Sequence, residues 1–213
     1  MRGLFITFEG GEGAGKSTQA RLLADHLRAH GHDVDLTREP GGTEAAEALR
    51  DFLLFGGHDL SARAEVLTHF AARADHVDRR ILPALAQGRI VVCDRFADST
   101  EAYQGYGVSH ADTGLLDMIG QLRTMLPVQP DLTFVLQVPP DVARDRLRQR
   151  ADGRADRYEA EDAAFHARVA AGFDAIARRD AARCHRIDAS GDAGGVQQAI
   201  RAVLAPRLAG RGG

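Results

Sequence analysis

Short, mostly apolar runs punctuate this chain: Leu4–Phe8, Val34–Thr37, Ile90–Asp94, Leu132–Val138 and Cys184–Ile187. Leu4–Phe8 reads as a buried strand and Ile90–Asp94 as one apolar on both faces, and the other three are expected as further strands. Between them apolar residues recur at helical spacing. Ala20, Leu23, Ala24 and Leu27 give one face of a helix from Ser17 to His30, stopped by Gly31. Further helices are expected over Thr43–Phe55, ended by Gly56-Gly57, and over Ala62–Gln87, stopped by Gly88 with a kink at Pro83. Two more are expected over Ala160–Asp180 and Gly195–Leu204. Strands that alternate with helices imply a parallel sheet with helices on both faces, joined by right-handed crossovers. The expected class is α/β: a doubly wound, five-stranded parallel sheet flanked by helices.

Composition narrows the setting. The 213 residues, 44% hydrophobic, are enough for one well-buried domain. A formal charge of -3 gives no global pull toward nucleic acid or an anionic membrane, so neither is expected as a partner. Cys93 and Cys184 lie far apart and suggest no disulfide framework. No apolar stretch is long enough to span a membrane, and Met1-Arg2-Gly3-Leu4 runs straight into a strand, so no signal peptide and a cytoplasmic location are expected.

Charge becomes informative when it is located. Lys16 is the only lysine among 27 Lys and Arg side chains. It sits in Gly10-Gly11-Glu12-Gly13-Ala14-Gly15-Lys16-Ser17, followed by Thr18. This fits the phosphate-binding P-loop pattern, between a strand and a helix. Glycines let backbone N–H groups wrap phosphate oxygens, the helix N-terminus adds positive potential, and a compact ammonium serves as a point charge between phosphates. Ser17 is the expected Mg²⁺ ligand. A P-loop by itself gives nucleotide binding and leaves the reaction open.

Four features select among reactions. With one lysine, the guanine-reading N-K-x-D motif of GTPases has no place in the chain. Asp94 ends the third strand, where a Mg²⁺-supporting carboxylate is expected, and Arg95 follows it. Arg38-Glu39-Pro40-Gly41-Gly42 follows the second strand at the same carboxyl edge, where ligands bind in such sheets. Arg146, Arg148, Arg150, Arg154 and Arg157 crowd a segment interrupted by Gly153, which suits a closing lid at about 148–158. These point to a kinase for a small phosphorylated acceptor. A kinase for another nucleotide or for a nucleoside, and a regulatory module that binds ATP without transfer, remain as alternatives.

The chain also resembles the thymidylate kinase family along nearly its whole length. The resemblance rests on E-G-x-E-G-A-G-K-S-T at Glu9–Thr18, T-R-E-P-G-G-T at Thr37–Thr43, A-E-x-L at Ala64–Leu67 and A-A-R at Ala71–Arg73. It continues through V-x-C-D-R-F at Val91–Phe96, S-T-x-A-Y-Q-G at Ser99–Gly105, P-D-L-T at Pro130–Thr133 and D-R-Y-E at Asp156–Glu159. It implies a single nucleoside monophosphate kinase domain over residues 1–213, phosphorylating dTMP to dTDP with ATP and Mg²⁺, in a homodimer. By the same resemblance, Gly10, Gly11, Glu12, Gly13, Ala14, Gly15, Lys16, Ser17 and Thr18 hold ATP, and Asp94 supports the Mg²⁺ water shell. Glu12 approaches the sugar of dTMP, Arg50 and Arg95 hold its phosphate, and Glu39 lies beside it. Ser99, Thr100, Tyr103 and Gln104 line the nucleoside pocket, and Arg73 bonds the thymine carbonyl. The P-loop carries no arginine, so Arg150 or Arg154 of the lid is implied on the transferred phosphoryl. One departure stands out: the family phenylalanine four residues before that arginine is His69 here, with Phe70 displaced by one. Either ring is a candidate to stack on the base, His69 being the structural equivalent.

Overall fold

The computed structural model describes residues 2–149 and 157–209. Strands β1 (Leu4–Gly10), β2 (Val34–Arg38), β3 (Ile90–Asp94), β4 (Leu132–Gln137) and β5 (Cys184–Asp188) form a parallel sheet in the order β2-β3-β1-β4-β5. β1 lies between β3 and β4, with Phe8 opposite Asp94 and Gly10 opposite Leu136. The chain reverses its winding direction at β1. The crevice for a ligand therefore opens beyond the carboxyl ends of β1 and β3.

Every residue of β1 is buried. Leu4, Ile6 and Phe8 face one core with Leu23 and Leu27 of α1 (Lys16–Ala29) and Ile200 and Leu204 of α9 (Ala193–Ala209). Phe5 faces the opposite core with Val77, Ile81, Leu85 and Val91. Thr7 completes its own alternation by bonding Thr133 on β4 at 2.7 Å, so a polar pair is satisfied inside the sheet.

α2 (Glu44–Phe55) is capped by Thr43, whose hydroxyl accepts from the Ala46 amide. The expected long helix is interrupted. α3 (Ala62–His76) passes through a π-helical stretch, Val77–Ile81, into α4 (Leu82–Ala86). The irregularity thus lies one turn before Pro83, not at it. A proline ring clashes with the carbonyl four residues earlier, and the wider π turn around Arg79 makes the room. A second π-helical stretch, Glu101–Val108, follows the short helix α5 (Ala97–Thr100). The hydrophobic spacing did not reveal it, nor α6 (Thr113–Thr124) after it. α7 (Pro140–Gln149) and α8 (Ala163–Arg179) flank the segment expected to be the lid. Asp162 caps α8, which starts it later than the expected Ala160.

Candidate active site

The P-loop turns from β1 into α1. Gly10, Gly13 and Gly15 all have positive φ, which side chains resist. A Cβ at Gly10 would meet the Leu136 carbonyl oxygen at 2.4 Å, and one at Gly13 the Ala143 carbonyl oxygen at 2.4 Å. Lys16 and Ser17 therefore begin α1 from a loop that tolerates only glycine at its tightest points. Lys16 Nζ donates to the Gly11 carbonyl at 2.7 Å. Burial and the nearby Arg95 pull its pKa below the ordinary value, against Glu12 and Asp94. Ser17 Oγ donates to Asp94 Oδ2, while Asp94 Oδ1 is buried without a hydrogen bond.

Arg95 follows β3 with φ of 74°, a left-handed backbone that costs a non-glycine residue energy. Several bonds hold it there. Its amide donates to the Phe8 carbonyl at 2.9 Å, and the next amide, Phe96, donates to Glu9 at 2.8 Å. The turned-over backbone sends the guanidinium back to the Gly10 carbonyl (3.1 Å), Ser99 Oγ (3.1 Å), the Tyr103 hydroxyl (3.1 Å) and Glu12 Oε1. Tyr103 also donates to Glu12 at 2.9 Å. Burial would raise the Glu12 carboxyl, but Arg95 and Lys16 bring it down to about 2. Burial opposes the charge on Arg95, yet Glu12, Tyr103 and Asp94 hold it well above its ordinary value.

These groups face a cavity of ≈ 210 Å³ whose lining also includes Arg38, Glu39, Arg50, His69, Arg73, Thr100, Gln104 and Tyr158. Arg50 Nη1 donates to the Pro40 carbonyl at 2.9 Å. Glu39 is fully engaged: Oε2 accepts from Arg73 at 2.7 Å and Oε1 from His76 Nδ1 at 3.0 Å. Its contact is therefore with Arg73, which it fixes. Arg73 further donates to the Phe96 carbonyl (3.2 Å) and Thr100 Oγ1 (3.1 Å), and its Nη1 is buried without a hydrogen bond. Gln104 Oε1 is likewise buried and unbonded. A fixed donor and a fixed acceptor thus belong to one cavity wall.

The two candidate rings separate. His69 is on the cavity, buried, and burial with Arg73 and Arg157 nearby pulls its pKa down to about 3, so it is neutral. Phe70 is not among the lining residues; it packs with Val66, Leu115 and Ile119 under the Arg73 guanidinium, 4.8 Å from its ring centre. One residue of offset turns Phe70 toward α6 and His69 toward the cavity. Arg150 and Arg154 lie outside the described residues, as does the middle of the expected lid. Arg157 is described and pairs with Glu65 at 3.2 Å.

Three acids or rings of this site were missed among the candidates: Glu9, Glu65 and Tyr158. Glu9, fully buried, accepts from Phe96 N and Ser99 Oγ. Each lay inside a quoted motif, and for Glu9 a lone carboxylate at the end of an apolar run was the available signal.

A P-loop opening onto a cation-lined cavity at the sheet's switch point marks the chain as a P-loop nucleotide-binding protein. The profile of one family, described as thymidylate kinase, matches residues 8–200. Thymidylate kinase of Gluconobacter oxydans is 58% identical over 203 residues, covering 95% of this chain and 92% of that protein. That of Caulobacter vibrioides is 49% identical over 208 residues, covering 97% and 98%. A crystal structure of thymidylate kinase from Ehrlichia chaffeensis superposes with a TM-score of 0.77 at 38% identity, covering 96% of this chain and 99% of that one. The chain belongs to the thymidylate kinase family, enzymes that phosphorylate dTMP to dTDP in dTTP synthesis.

Proposed function

We propose that this cavity takes dTMP as acceptor and that ATP, held on the P-loop by Gly10–Thr18, donates the phosphoryl group. The pair of unbonded buried groups carries the reading: Arg73 Nη1 can donate to a ring carbonyl, and Gln104 Oε1 can accept from the adjacent ring N–H. Thymine presents that pair, O4 beside N3–H; cytosine presents the reverse. His69 supplies a neutral ring for stacking on the base. Glu12 and Tyr103 stand at the sugar, and Arg95 with Arg50 on the acceptor phosphate.

An acceptor phosphate is already nucleophilic at neutral pH, so positioning and charge stabilisation suffice. Lys16 contacts the transferring group. Arg95, rigid in its strained turn, aligns the acceptor. The family resemblance assigns Arg150 or Arg154 to the transferred phosphoryl and makes 148–158 the lid of one domain spanning 1–213. Mg²⁺ fits the donor side: Ser17 Oγ is a usual ligand, and the unbonded Asp94 Oδ1 suits an ion's water shell. When bound, the ion supplies charge neutralisation between donor phosphates. No described helix is long and apolar enough to cross a membrane; a cytoplasmic location without a membrane partner is part of the same reading. The net charge of -3 supports the absence of a nucleic-acid partner. The family habit supports a homodimer.

ADP release over a panel of nucleoside monophosphates tests the acceptor. The expected result is turnover with dTMP well above dCMP, dAMP and dGMP. Equal turnover on all four would sink the substrate assignment, and ATP binding with no turnover on any would favour a regulatory module.

A further inference from the structure

Behind the cavity wall, in the first turn of α3, lies a carboxylate that none of the roles above uses. Glu65 is 1% exposed and does not line the cavity. Its Oε1 accepts from Gln104 Nε2 at 2.9 Å and from the Tyr158 hydroxyl at 2.7 Å. Its Oε2 pairs with Arg157 Nη1 at 3.2 Å. We propose that Glu65 is a positioning residue that fixes the hydrogen-bond direction of Gln104, Tyr158 and His69, and so makes this wall accept from the acceptor base where it could otherwise donate. The inference rests on the reading that Gln104 and Arg73 face that base.

A carboxylate paired with arginine has no proton to give, so both groups bonded to its Oε1 must be donors. The Gln104 amide is then oriented without ambiguity: its NH₂ faces Glu65 and the Tyr158 oxygen, 2.9 Å away, and its carbonyl oxygen is turned from both. That oxygen is the unbonded Oε1. Tyr158 has a single proton, which goes to Glu65. Its oxygen can only accept from His69 Nε2, 3.3 Å away. Neutral His69 must therefore carry its proton on Nε2 and leave Nδ1 bare. One buried acid thus sets the polarity of three side chains on the cavity wall.

Glutamine at position 65 removes the constraint. Its own NH₂ can bond Gln104 Oε1, which lets the Gln104 amide turn over and offer a donor to the cavity. Thymine and uracil, with N3–H, lose a partner. Cytosine, with a bare N3, gains one, although Arg73 still opposes its amino group.

The test is kcat/KM for dTMP, dUMP and dCMP in the wild type, Glu65→Gln, Gln104→Ala and the double variant. In Glu65→Gln, dTMP and dUMP are expected to fall together, so that the dTMP-to-dCMP ratio drops about tenfold. In the Gln104→Ala background the same change is expected to leave the ratio where it was. A folded Glu65→Gln enzyme with the wild-type ratio overturns the proposal. A wild type without preference for dTMP over dCMP instead overturns the acceptor reading beneath it. Nitrogen NMR of His69 in the wild-type protein decides the matter even if the variant does not fold. A proton on Nε2 is expected, and a proton on Nδ1 would mean that Tyr158 donates to His69 and that Glu65 does not direct it.

Discussion

Arg95 shows how a single residue's backbone can be part of a binding site. A guanidinium reaching forward from β3 would leave the sheet edge; the left-handed turn folds it back over the P-loop beside Glu12. Strain of about 1–3 kcal/mol is expected at such a position, and the bonds from Phe8 and Glu9 hold it. Glu12 and Arg95 stabilise one another out of water, and that has a pH signature. The folded-state pKa of Glu12 is about 2, below its ordinary 4.5. Its contribution to stability is therefore present above pH 4.5 and lost as the pH falls toward 2. Comparing Tm of the wild type and Glu12→Gln from pH 7 to 2.5 isolates it. The wild type is expected to be the more stable at pH 7, with the gap closing below pH 4.5. A gap that does not change with pH would mean that the pair contributes nothing through ionisation. Arg95 was legible from its place at the end of the third strand, and Glu12, Arg73 and Gln104 through the family resemblance. Glu9 and Glu65 were not, because their importance lies in what they hold, which depends on contacts across 87 and 39 positions of chain.

At the scale of elements, the strands were legible to within a residue or two, because β1, β3 and β4 at the centre of the sheet are mostly apolar runs, with β2 and β5 between helices at its edges. The π-helical stretches were not: a wider turn leaves the composition unchanged and only shifts which residues share a face. The stretch Glu101–Val108 carries Tyr103 and Gln104, and its seam with α8 is tight. A Cβ at Gly107 would lie 2.7 Å from the Phe165 ring, and one at Gly172 would lie 2.9 Å from the Tyr106 ring. Gly172→Val is expected to cost about 1–3 kcal/mol by overpacking, seen as a lower Tm. It is also expected to raise KM for dTMP more than it lowers kcat, since the stretch it displaces carries Tyr103 and Gln104 of the cavity wall. A lower Tm with KM unmoved would separate the seam from the site.

Across the whole molecule, the site is braced from outside by buried charge. Asp98 of α5 accepts both Nη groups of Arg183 at 2.7 and 2.8 Å and meets Arg123 of α6 at 2.7 Å. Glu101 accepts both Nη groups of Arg179 on α8. Pairs of this kind specify an arrangement more than they stabilise it, and breaking one leaves an unpaired buried charge. Leu67 on α3 is 49% exposed and Met125, beyond α6, 77% exposed. If the homodimer packs through these helices, sedimentation is expected to give a dimer for the wild type and a monomer for Leu67→Glu. A monomeric wild type would remove the dimer from the account. The lone lysine of the chain carries a different consequence. Its amine lies buried in the P-loop with a lowered pKa, and the rest of the basic surface is guanidinium. Apart from the chain terminus, an amine-directed reagent therefore has one address in this protein, the P-loop. Isotopic methylation of that amine would give a spectrum with a single side-chain signal, reporting on the P-loop without background from any other residue.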